Sequence, residues 1–285
     1  MHGTLAPPCA ACGGTRCRLQ FEKQGYRFVR CDGCTLVRLD PLPGQQALTA
    51  FYDESYRSGI YATFASAETV RMATAAARIA AVLPHVPVGP WLDVGCSTGS
   101  SLRAAAARGL DAEGIELSPT AVDVARAAGL RVERVSAEDF RPRRQYACVT
   151  AFDVVEHLLE PGDLLTRART WLLPGGCLAV SVPDTKSLAA RLMGRHWYFY
   201  APPVHVQYFD RASLARLLRR HGLEPSRIVA APKVITLDYA VSVLGGFDRR
   251  LHRIARALTA PIPRTLRQRL LRLPVGEILA IATRA

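Results

Sequence analysis

The sequence predicts an α/β protein built on a doubly wound parallel sheet, and three observations support this fold class. From Trp91 onward, short apolar strands alternate with helical segments, which is typical of a parallel sheet covered by helices on both faces. The small-residue loop "GCSTGS" (95–100) joins the first of these strands to a helix. With 285 residues, 49% of them hydrophobic, the chain is long enough for one large domain with a small attachment.

The individual elements follow from local patterns. An alanine-rich helix, from about residue 65 to 83, precedes the first strand "WLDV" (91–94) and ends before Pro84. A later helix begins with Ser118 as its N-cap and Pro119 at its first position. The predicted buried positions of the first helix are Val70, Ala73, Ala77 and Ile79. Further strands are expected in "DAEGIEL" (111–117), "RVERVSAEDF" (131–140), "YACVTAFDVVEHL" (146–158) and "CLAVSVPD" (177–184).

Four cysteines near the N-terminus form two close pairs, Cys9 with Cys12 and Cys31 with Cys34. Each pair can form a knuckle that offers two thiolates, and two knuckles on facing hairpins make the closed tetrahedral site of structural zinc. The sequence therefore predicts a zinc ribbon, for stability or substrate docking rather than catalysis. The alternative is a set of reduced, buried cysteines, and Cys17 lies outside the pattern.

The prolines and glycine after the ribbon indicate a linker near residues 37–46. We therefore expect a ribbon domain over residues 1–45 and a second domain over residues 46–285. No apolar run is long enough for a transmembrane helix, and the N-terminus lacks the pattern of a secretory signal, so a cytoplasmic protein is expected. The net charge of +13 favours an anionic partner, although an arginine-rich background alone also makes a chain basic.

The loop at residues 95–99 has the composition of a nucleotide-binding turn. Gly95 and Gly99 permit a sharp turn and a close ligand approach, and the helix that follows offers unpaired amides. Glu116 stands seventeen residues after Gly99, at the tip of the second strand. A carboxylate in that place can accept hydrogen bonds from both ribose hydroxyls.

The stretch "DVGCSTG" (93–99) resembles the first motif of the class I S-adenosylmethionine-dependent methyltransferases, with Ser97 in place of the central glycine. The motifs that follow in order, such as the turn "LLPGG" (172–176), extend the resemblance over roughly residues 50–285. It implies a Rossmann-like sheet of about seven strands whose last strand, in "EILAIATRA" (277–285), is antiparallel. The N-terminal ribbon is similar to that of a bacterial subgroup of these enzymes.

The resemblance implies S-adenosylmethionine as the cofactor and carries its binding residues onto this chain. Glu116 falls where the family binds the ribose, the acids of "SAED" (136–139) fall where it meets the adenine amino group, and Asp93 would anchor the turn and reach the cofactor's ammonium group. The expected cofactor-binding residues are Asp93, Gly95, Cys96, Ser97, Gly99, Glu116, Leu117, Glu138, Asp139, Phe152 and Asp153.

The spacing of Asp153, Glu156 and His157 is similar to that of the ubiquinone-pathway O-methyltransferases, in which such a set is linked to a divalent ion near the acceptor. Oxygen and nitrogen donors of this kind could hold a hard cation. The alternative is that Glu156 and His157 cap the next helix and line the pocket.

Aromatic residues crowd positions 197–200, where they could grip a flat acceptor or pack in the core. His205 follows two prolines and is the expected general base or substrate-orienting residue, with His157 and Tyr208 as the other catalytic candidates. A structural histidine is the competing interpretation of His205.

Residues 234–275 are expected to form a helical insertion before the last strand. From residue 249 to 272 the sequence holds eight arginines and no acidic residue, and the pattern predicts two short basic amphipathic helices separated by "PIP" (261–263). These could contact an anionic membrane or a lipid-linked substrate, act as a lid or dimer contact, or form a solvated hairpin. The apolar positions at helical spacing are Leu251, Ile254, Leu258, Leu266, Leu270 and Leu273.

These features predict an S-adenosylmethionine-dependent methyltransferase that acts on a small-molecule or carrier-linked metabolite, with oxygen as the expected acceptor atom. One alternative is an RNA methyltransferase that docks through the ribbon and the basic helices. It is not favoured, because no Asn-Pro-Pro-Tyr-like tetrapeptide follows the fourth strand. A non-catalytic binding module is the other alternative, and the intact cofactor motif argues against it.

Overall fold

The computed structural model describes residues 7–44, 46, 48, 68–245, 249–273 and 276–284. Its strands are β1 (Cys17–Lys23), β2 (Tyr26–Cys31), β3 (Val37–Leu39), β4 (Trp91–Val94), β5 (Ala112–Glu116), β6 (Val132–Arg134), β7 (Tyr146–Phe152), β8 (Leu172–Pro183), β9 (Gln207–Tyr208), β10 (Leu223–Ala230), β11 (Lys233–Ile235), β12 (Leu271–Leu273) and β13 (Glu277–Arg284). Its helices are α1 (Glu68–Val82), α2 (Ser100–Ala106), α3 (Pro119–Ala127), α4 (Pro161–Trp171), α5 (Leu188–Met193), α6 (Arg211–Arg220), α7 (Leu237–Gly245), α8 (Arg249–Thr259) and α9 (Arg264–Arg267).

Seven of these strands form the central sheet, in the order β10-β13-β8-β7-β4-β5-β6. Strands β6, β5, β4, β7 and β8 run parallel to one another, whereas β13 is antiparallel to both β8 and β10. The predicted Rossmann-like sheet with an antiparallel last strand is therefore confirmed. The predicted turn at residues 172–176 is a bulge at the start of β8, because Tyr146 pairs with Leu172 while Cys148 pairs with Cys177.

Alternate residues of β7 enter different cores, as the two-residue period of a strand requires. Cys148 lies in a cluster with Ile79 of α1 and Ala104 of α2. The next residue, Val149, lies in a cluster on the other face with Leu165 of α4. The sheet is thus covered on both faces, so the place that remains open for a ligand is at the carboxyl ends of its strands.

Helix α1 agrees with the sequence pattern in most respects. Within the described residues it begins at Glu68, so residues 65–67 of the predicted helix lie outside them, and it ends before Pro84 as predicted. Three of its four predicted buried positions are buried, and Ala73 is half-buried. Arg78, which the pattern did not select, is also buried.

Strands β1, β2 and β3 form an antiparallel ribbon, and β9 extends it as a fourth strand through the pair Val37 and Tyr208. The prediction of a linker from residue 37 onward is therefore wrong for its first three residues. They form a strand because Val37 and Leu39 pack among the buried aromatic residues of β2 and β9. The division of the chain at residue 45 stays a prediction.

The antiparallel pair β11 and β12 closes the base of the C-terminal insertion. The two predicted basic helices are α8 and α9, separated by "PIP". Since α9 ends at Arg267, the helical spacing predicted through Leu270 and Leu273 is wrong, and Leu273 instead pairs with Lys233 in β12. The side chain of Leu251 lies outside the described part of the chain. Among the described helices, none has the length and apolar character to span a membrane.

Candidate active site

The loop from β4 to α2 turns sharply at the carboxyl edge of the sheet. Gly95 and Gly99 have φ angles of +67° and +85°, in the left-handed region that glycine adopts without strain. A Cβ atom at Gly95 would lie 2.8 Å from Cγ2 of Val154, so the loop packs too closely there for a side chain. Ser97 also has a positive φ, +49°, and so keeps the glycine-like conformation of the motif.

The carboxylate of Glu116 joins this loop to the start of α3. Its Oε2 accepts a hydrogen bond from the Ser97 amide at 2.9 Å, and its Oε1 accepts from the Leu117 and Ser118 amides at 2.8 and 2.9 Å. The structure therefore brings together the glycine loop and the acid that was expected to bind the ribose.

Asp93 is buried in β4, where the Thr150 hydroxyl donates to its Oδ1 at 2.6 Å. Burial raises the pKa of Asp93 to about 7, although the hydrogen bond from Thr150 lowers it. Cys96 is buried too, and a Cβ atom at Gly114 would lie 2.6 Å from its Sγ. Cys96 thus packs the loop onto β5.

The residues expected on the adenine side are exposed. Leu117 is 65% exposed, and Glu138 and Asp139 also face solvent. The Ser136 hydroxyl donates to Oδ2 of Asp139 at 2.9 Å and accepts from the Asp139 amide at 3.0 Å. These side chains follow β5 and β6, which are neighbouring parallel strands, so they lie at one edge of the sheet.

Phe152 ends β7, and Asp153 follows it with a φ of +57°. Arg78 lies over the Phe152 ring, and its guanidinium donates to the two oxygens of Asp153 at 2.9 and 3.1 Å and to Oε2 of Glu277 at 2.6 Å. Desolvation by the surrounding residues opposes ionisation of Asp153, whose side chain is 41% exposed, but the charges of Arg78 and Lys233 hold its pKa well below the usual range.

This pairing takes Asp153 out of the predicted set of metal ligands. At this edge of the sheet, Glu156, His157 and His205 form a described group with metal-ligand spacing, and their donor atoms lie within 4.8 Å of one another. The predicted set of Asp153, Glu156 and His157 therefore needs correction, because the oxygens of Asp153 are bound by Arg78 and by the Ser181 hydroxyl.

Glu156 and His157 lie in a 3₁₀ turn, Val155–His157, that follows β7. Glu156 is 1% exposed, its Oε2 has no hydrogen-bond partner among the described residues, and burial raises the pKa of its carboxyl well above the usual value. The alternative that these residues cap α4 is wrong, because the N-cap of α4 is Glu160. A buried carboxylate oxygen without a partner is costly unless it binds a proton or a cation.

The imidazole rings of His157 and His205 meet edge to face, with their centres 4.6 Å apart. The carbonyls of Val204 and Phe199 lie 2.9 Å from Nδ1 of His157 and His205, respectively. Because a carbonyl only accepts, Nδ1 carries the proton in the neutral ring of His205, and its Nε2 keeps the lone pair. Burial lowers the pKa of both rings, that of His205 to about 3, so both are neutral at pH 7.

Tyr208 and two of the four aromatic residues at positions 197–200 pack against the ribbon. Trp197, Tyr200 and Tyr208 are buried in the cluster that joins β2 and β3 to this segment, while the other two aromatic residues are half-buried. The Tyr208 hydroxyl donates to the carbonyl of His205 at 2.7 Å, and burial raises its pKa. Its phenol therefore supports the backbone that carries His205.

The four paired cysteines of the ribbon come together as predicted. Their Sγ atoms lie within 4.8 Å of one another, with 3.4 Å between those of Cys9 and Cys34 and 3.5 Å between those of Cys12 and Cys31. The hydrogen bond with Cys34 lowers the pKa of the Cys9 thiol to about 5. Cys17 is not part of this group. Four thiols in this arrangement fit a tetrahedral zinc site.

Sequence reasoning missed Arg78, Glu277 and Lys233, which surround Asp153. Lys233 pairs with the second oxygen of Glu277, and both side chains come from the ends of the C-terminal insertion. The sequence did indicate a buried cation here, because the arginine of "AARIAAV" stands between the predicted buried positions Ala77 and Ile79. A cation in that place needs an acidic partner.

Comparison with known proteins connects this geometry to a family. Residues 64–227, more than half of the chain, match the family model described as a methyltransferase domain. The chain belongs to this family. Its sheet order and its loop after β4 are those of the class I S-adenosylmethionine-dependent methyltransferases, so the resemblance stated from the motifs is confirmed.

Curated relatives match the central part of this methyltransferase. The ubiquinone biosynthesis O-methyltransferase of Thiobacillus denitrificans is 29% identical over 151 residues, which are 48% of this chain and 65% of that protein. The trans-aconitate 2-methyltransferase of Sinorhizobium fredii is 31% identical over 165 residues, 55% of this chain and 62% of that protein. The match thus covers less than two thirds of the length of these relatives.

Solved structures share the fold at low identity. The 1,6-didemethyltoxoflavin-N1-methyltransferase of Burkholderia thailandensis, solved with bound 1,6-didemethyltoxoflavin and S-adenosylhomocysteine, has a TM-score of 0.53 and 15% identity, over 94% of this chain and 99% of that chain. A complex of the Haloferax volcanii activator Trm112 with a methyltransferase has a TM-score of 0.54 and 17% identity, over 79% of this chain and 95% of that chain.

Proposed function

We propose that this methyltransferase transfers the methyl group of S-adenosylmethionine to a hydroxyl oxygen of a small-molecule or carrier-linked metabolite. The observation that carries the proposal is the cluster in which Glu156 and His157, just after β7, lie close to His205 from the segment before β9. The similarity to proteins named O-methyltransferases supports oxygen as the acceptor atom.

In this proposal the cofactor lies along the carboxyl edge of β4, β5, β6 and β7. Its amino-acid end would meet the loop at 95–99 and Asp93, and its ribose would meet Glu116. The exposed Leu117, Glu138 and Asp139 would border the adenine, and Phe152 with Asp153 would border the sulfonium. Cys96 packs against Gly114 of β5 and so fixes the loop on the sheet.

The cluster after β7 fits a divalent cation. The buried Oε2 of Glu156 has no hydrogen-bond partner among the described residues, and two neutral imidazoles stand beside it, each held at Nδ1 by a carbonyl as metal-binding histidines usually are. When bound, the cation would lower the pKa of an acceptor hydroxyl. The low pKa of His205 makes this ring a poor base, so we assign it as a ligand and not as the general base.

Methyl transfer itself is an in-line displacement in which positioning provides much of the acceleration. The bond between sulfur and methyl breaks as the bond between oxygen and methyl forms, S-adenosylhomocysteine leaves, and the hydroxyl proton goes to water. Arg78 binds the carboxylate of Asp153 at the end of β7, and the Tyr208 hydroxyl binds the backbone carbonyl of His205.

We also propose that Cys9, Cys12, Cys31 and Cys34 bind one structural zinc ion. Such a site leaves no ligand position open, so the ion would stabilise the ribbon rather than take part in the reaction. The ribbon supports the acceptor side indirectly: β3 pairs with β9, and the Lys23 ammonium donates to the carbonyl of Tyr200 at 2.7 Å.

The test is methyl transfer from labelled S-adenosylmethionine to catechols, phenols and hydroxy acids, each compared with its analogue in which the hydroxyl is already methylated. We expect an O-methyl product that is lost on chelation and restored by Mg²⁺ or Zn²⁺. His205→Gln should lower kcat about 10- to 100-fold with unchanged affinity for S-adenosylmethionine, whereas the exposed His85→Gln should have no effect. Equal activity of the His205 variant, or transfer only to nitrogen, would contradict the proposal.

A further inference from the structure

The C-terminal insertion presents a surface that is both basic and apolar, which we call the arginine–leucine surface (residues 249–273). It includes α8, α9 and β12. From residue 249 to 272 it holds eight arginines and no acidic residue, and Arg267 pairs with Asp238 of α7. Six of its large apolar side chains are exposed: Ile254, Leu258, Leu266, Leu270, Leu271 and Leu273.

Helix α8 separates these two kinds of side chain. Ile254 and Leu258 lie one turn apart on one face and are 56% and 71% exposed. His252, which is half-buried, lies on the side towards α7, where its Nδ1 is 2.9 Å from the carbonyl of Val241. By helical spacing the four arginines of α8 lie to one side of this apolar stripe, and such an amphipathic division is the pattern of helices that lie in the plane of a membrane interface.

An apolar groove continues this surface into the domain. Arg272 and Leu273 of β12 line it together with three alanines of α1 and the residues 229–232, and its volume is about 480 Å³. Its walls are mainly small apolar side chains, and Arg272 is the charged residue that lines it. The groove therefore joins a cationic surface to an apolar space of the kind that takes hydrocarbon.

We propose that the arginine–leucine surface binds the face of an anionic phospholipid bilayer, with the apolar side chains among the acyl chains and the arginines at the phosphates. Charge complementarity selects this partner, since each basic residue near an anionic membrane adds about 1 kcal/mol, equivalent to about fivefold in partition. The inference is independent of the methyl acceptor.

Two other occupants fit less well. A second copy of the chain, docked about a two-fold axis, would place eight arginines against eight arginines. An RNA would engage the arginines but leave the exposed leucines unused, and residues 249–272 contain no Phe, Trp or Tyr on which bases could stack.

The test is co-sedimentation of the full chain with vesicles of phosphatidylcholine alone and of phosphatidylcholine with phosphatidylglycerol. We expect binding to the anionic vesicles only, weakened by salt. The double variant Ile254→Glu, Leu258→Glu should abolish binding, and Arg249→Gln with Arg253→Gln should weaken it about 25-fold. Val88→Glu, at a fully exposed position outside this surface, and Arg143→Gln, on another exposed loop, are the matched controls.

Three results would overturn the inference. They are equal binding to neutral vesicles, unchanged binding of the Ile254 and Leu258 variant, and absence of binding to anionic vesicles at low salt. A dimer in solution that the same double variant dissociates, or RNA binding that the arginine variants lose without any vesicle binding, would assign the surface to those partners instead. Binding of S-adenosylmethionine, measured in parallel, shows that each variant is folded.

Discussion

The guanidinium of Arg78 binds both carboxylate oxygens of Asp153, at 2.9 and 3.1 Å, and so joins α1 to the carboxyl end of β7. The same guanidinium donates to Glu277, which is 1% exposed at the start of β13. One buried side chain therefore joins α1, β7 and β13, and its charge keeps Asp153 ionised.

Arg78→Gln should lower the free energy of unfolding by about 3 kcal/mol, because it leaves the buried Glu277 with Lys233 alone and frees Asp153. Urea denaturation measures this change. Arg219→Gln breaks an exposed ion pair with Glu224 and should cost less than about 1 kcal/mol. Equal effects of the two substitutions would show that the Arg78 network is not a stability determinant.

Glu116→Gln should weaken the binding of S-adenosylmethionine by about 1.5–3 kcal/mol, since it loses the charge-assisted hydrogen bonds to the loop amides and the proposed ones to the ribose. Calorimetry measures the affinity. Glu133→Gln, exposed on the neighbouring strand β6, is the matched control and should leave affinity unchanged. An unaltered affinity of the Glu116 variant would remove this residue from the proposed cofactor site.

The affinity for S-adenosylmethionine should rise with pH up to about 7 and then level off. Burial raises the pKa of Asp93 to about 7, so below that pH the carboxyl is protonated in the free protein, and the cofactor's ammonium group favours the ionised form. Binding then releases a proton, which calorimetry in two buffers of different ionisation enthalpy detects. The Asp93→Asn variant should lose this pH dependence. A wild-type affinity that stays constant from pH 5.5 to 8 would contradict the proposed role of Asp93.

His205 should make the protein less stable as the pH falls below about 6.5. Burial lowers the pKa of His205 from 6.5 to about 3 in the folded protein. Between pH 6.5 and 3 the unfolded chain therefore binds a proton that the folded chain does not, so the contribution of His205 to stability is fully present only above pH 6.5. His205→Gln should therefore lose less stability than the wild type between pH 7 and 5. The difference, at most about 1.4 kcal/mol per pH unit, is read from urea denaturation in the absence of added divalent ions. If the free energy of unfolding of the wild type and the variant fell equally between pH 7 and 5, His205 would not be a ring that folding keeps neutral.

One zinc ion per chain should be found by metal analysis of the purified protein. Cys9→Ser should lose it, because a tetrahedral site needs all four thiolates, whereas Cys17→Ser should retain it, because Cys17 lies outside the cluster. Loss of the ion should also lower the activity, because the ribbon strand β3 pairs with β9, which begins two residues after His205. Retention of zinc by the Cys9 variant would exclude this site.

Features within short stretches of the chain could be predicted because local chemistry determines them. The loop at 95–99 needs glycine for its positive φ angles, and Ser118 caps α3 through the Ala121 amide, as expected from its position. The pattern was misleading after Arg267, where pairing with β11 gave β12 in place of further helix. Tertiary pairing outweighs helical spacing in so short a segment.

The sequence by itself determined the doubly wound sheet, the glycine loop at 95–99 with Glu116 beside it, and the cluster of four cysteines. Only the tertiary structure decided which acids and histidines share a site: Asp153 is bound by Arg78, 75 residues away in sequence, and His205 takes its place beside Glu156 and His157. The physical reason is that a buried arginine binds whichever carboxylates the fold brings within reach, and spacing along one loop does not show what arrives from another element.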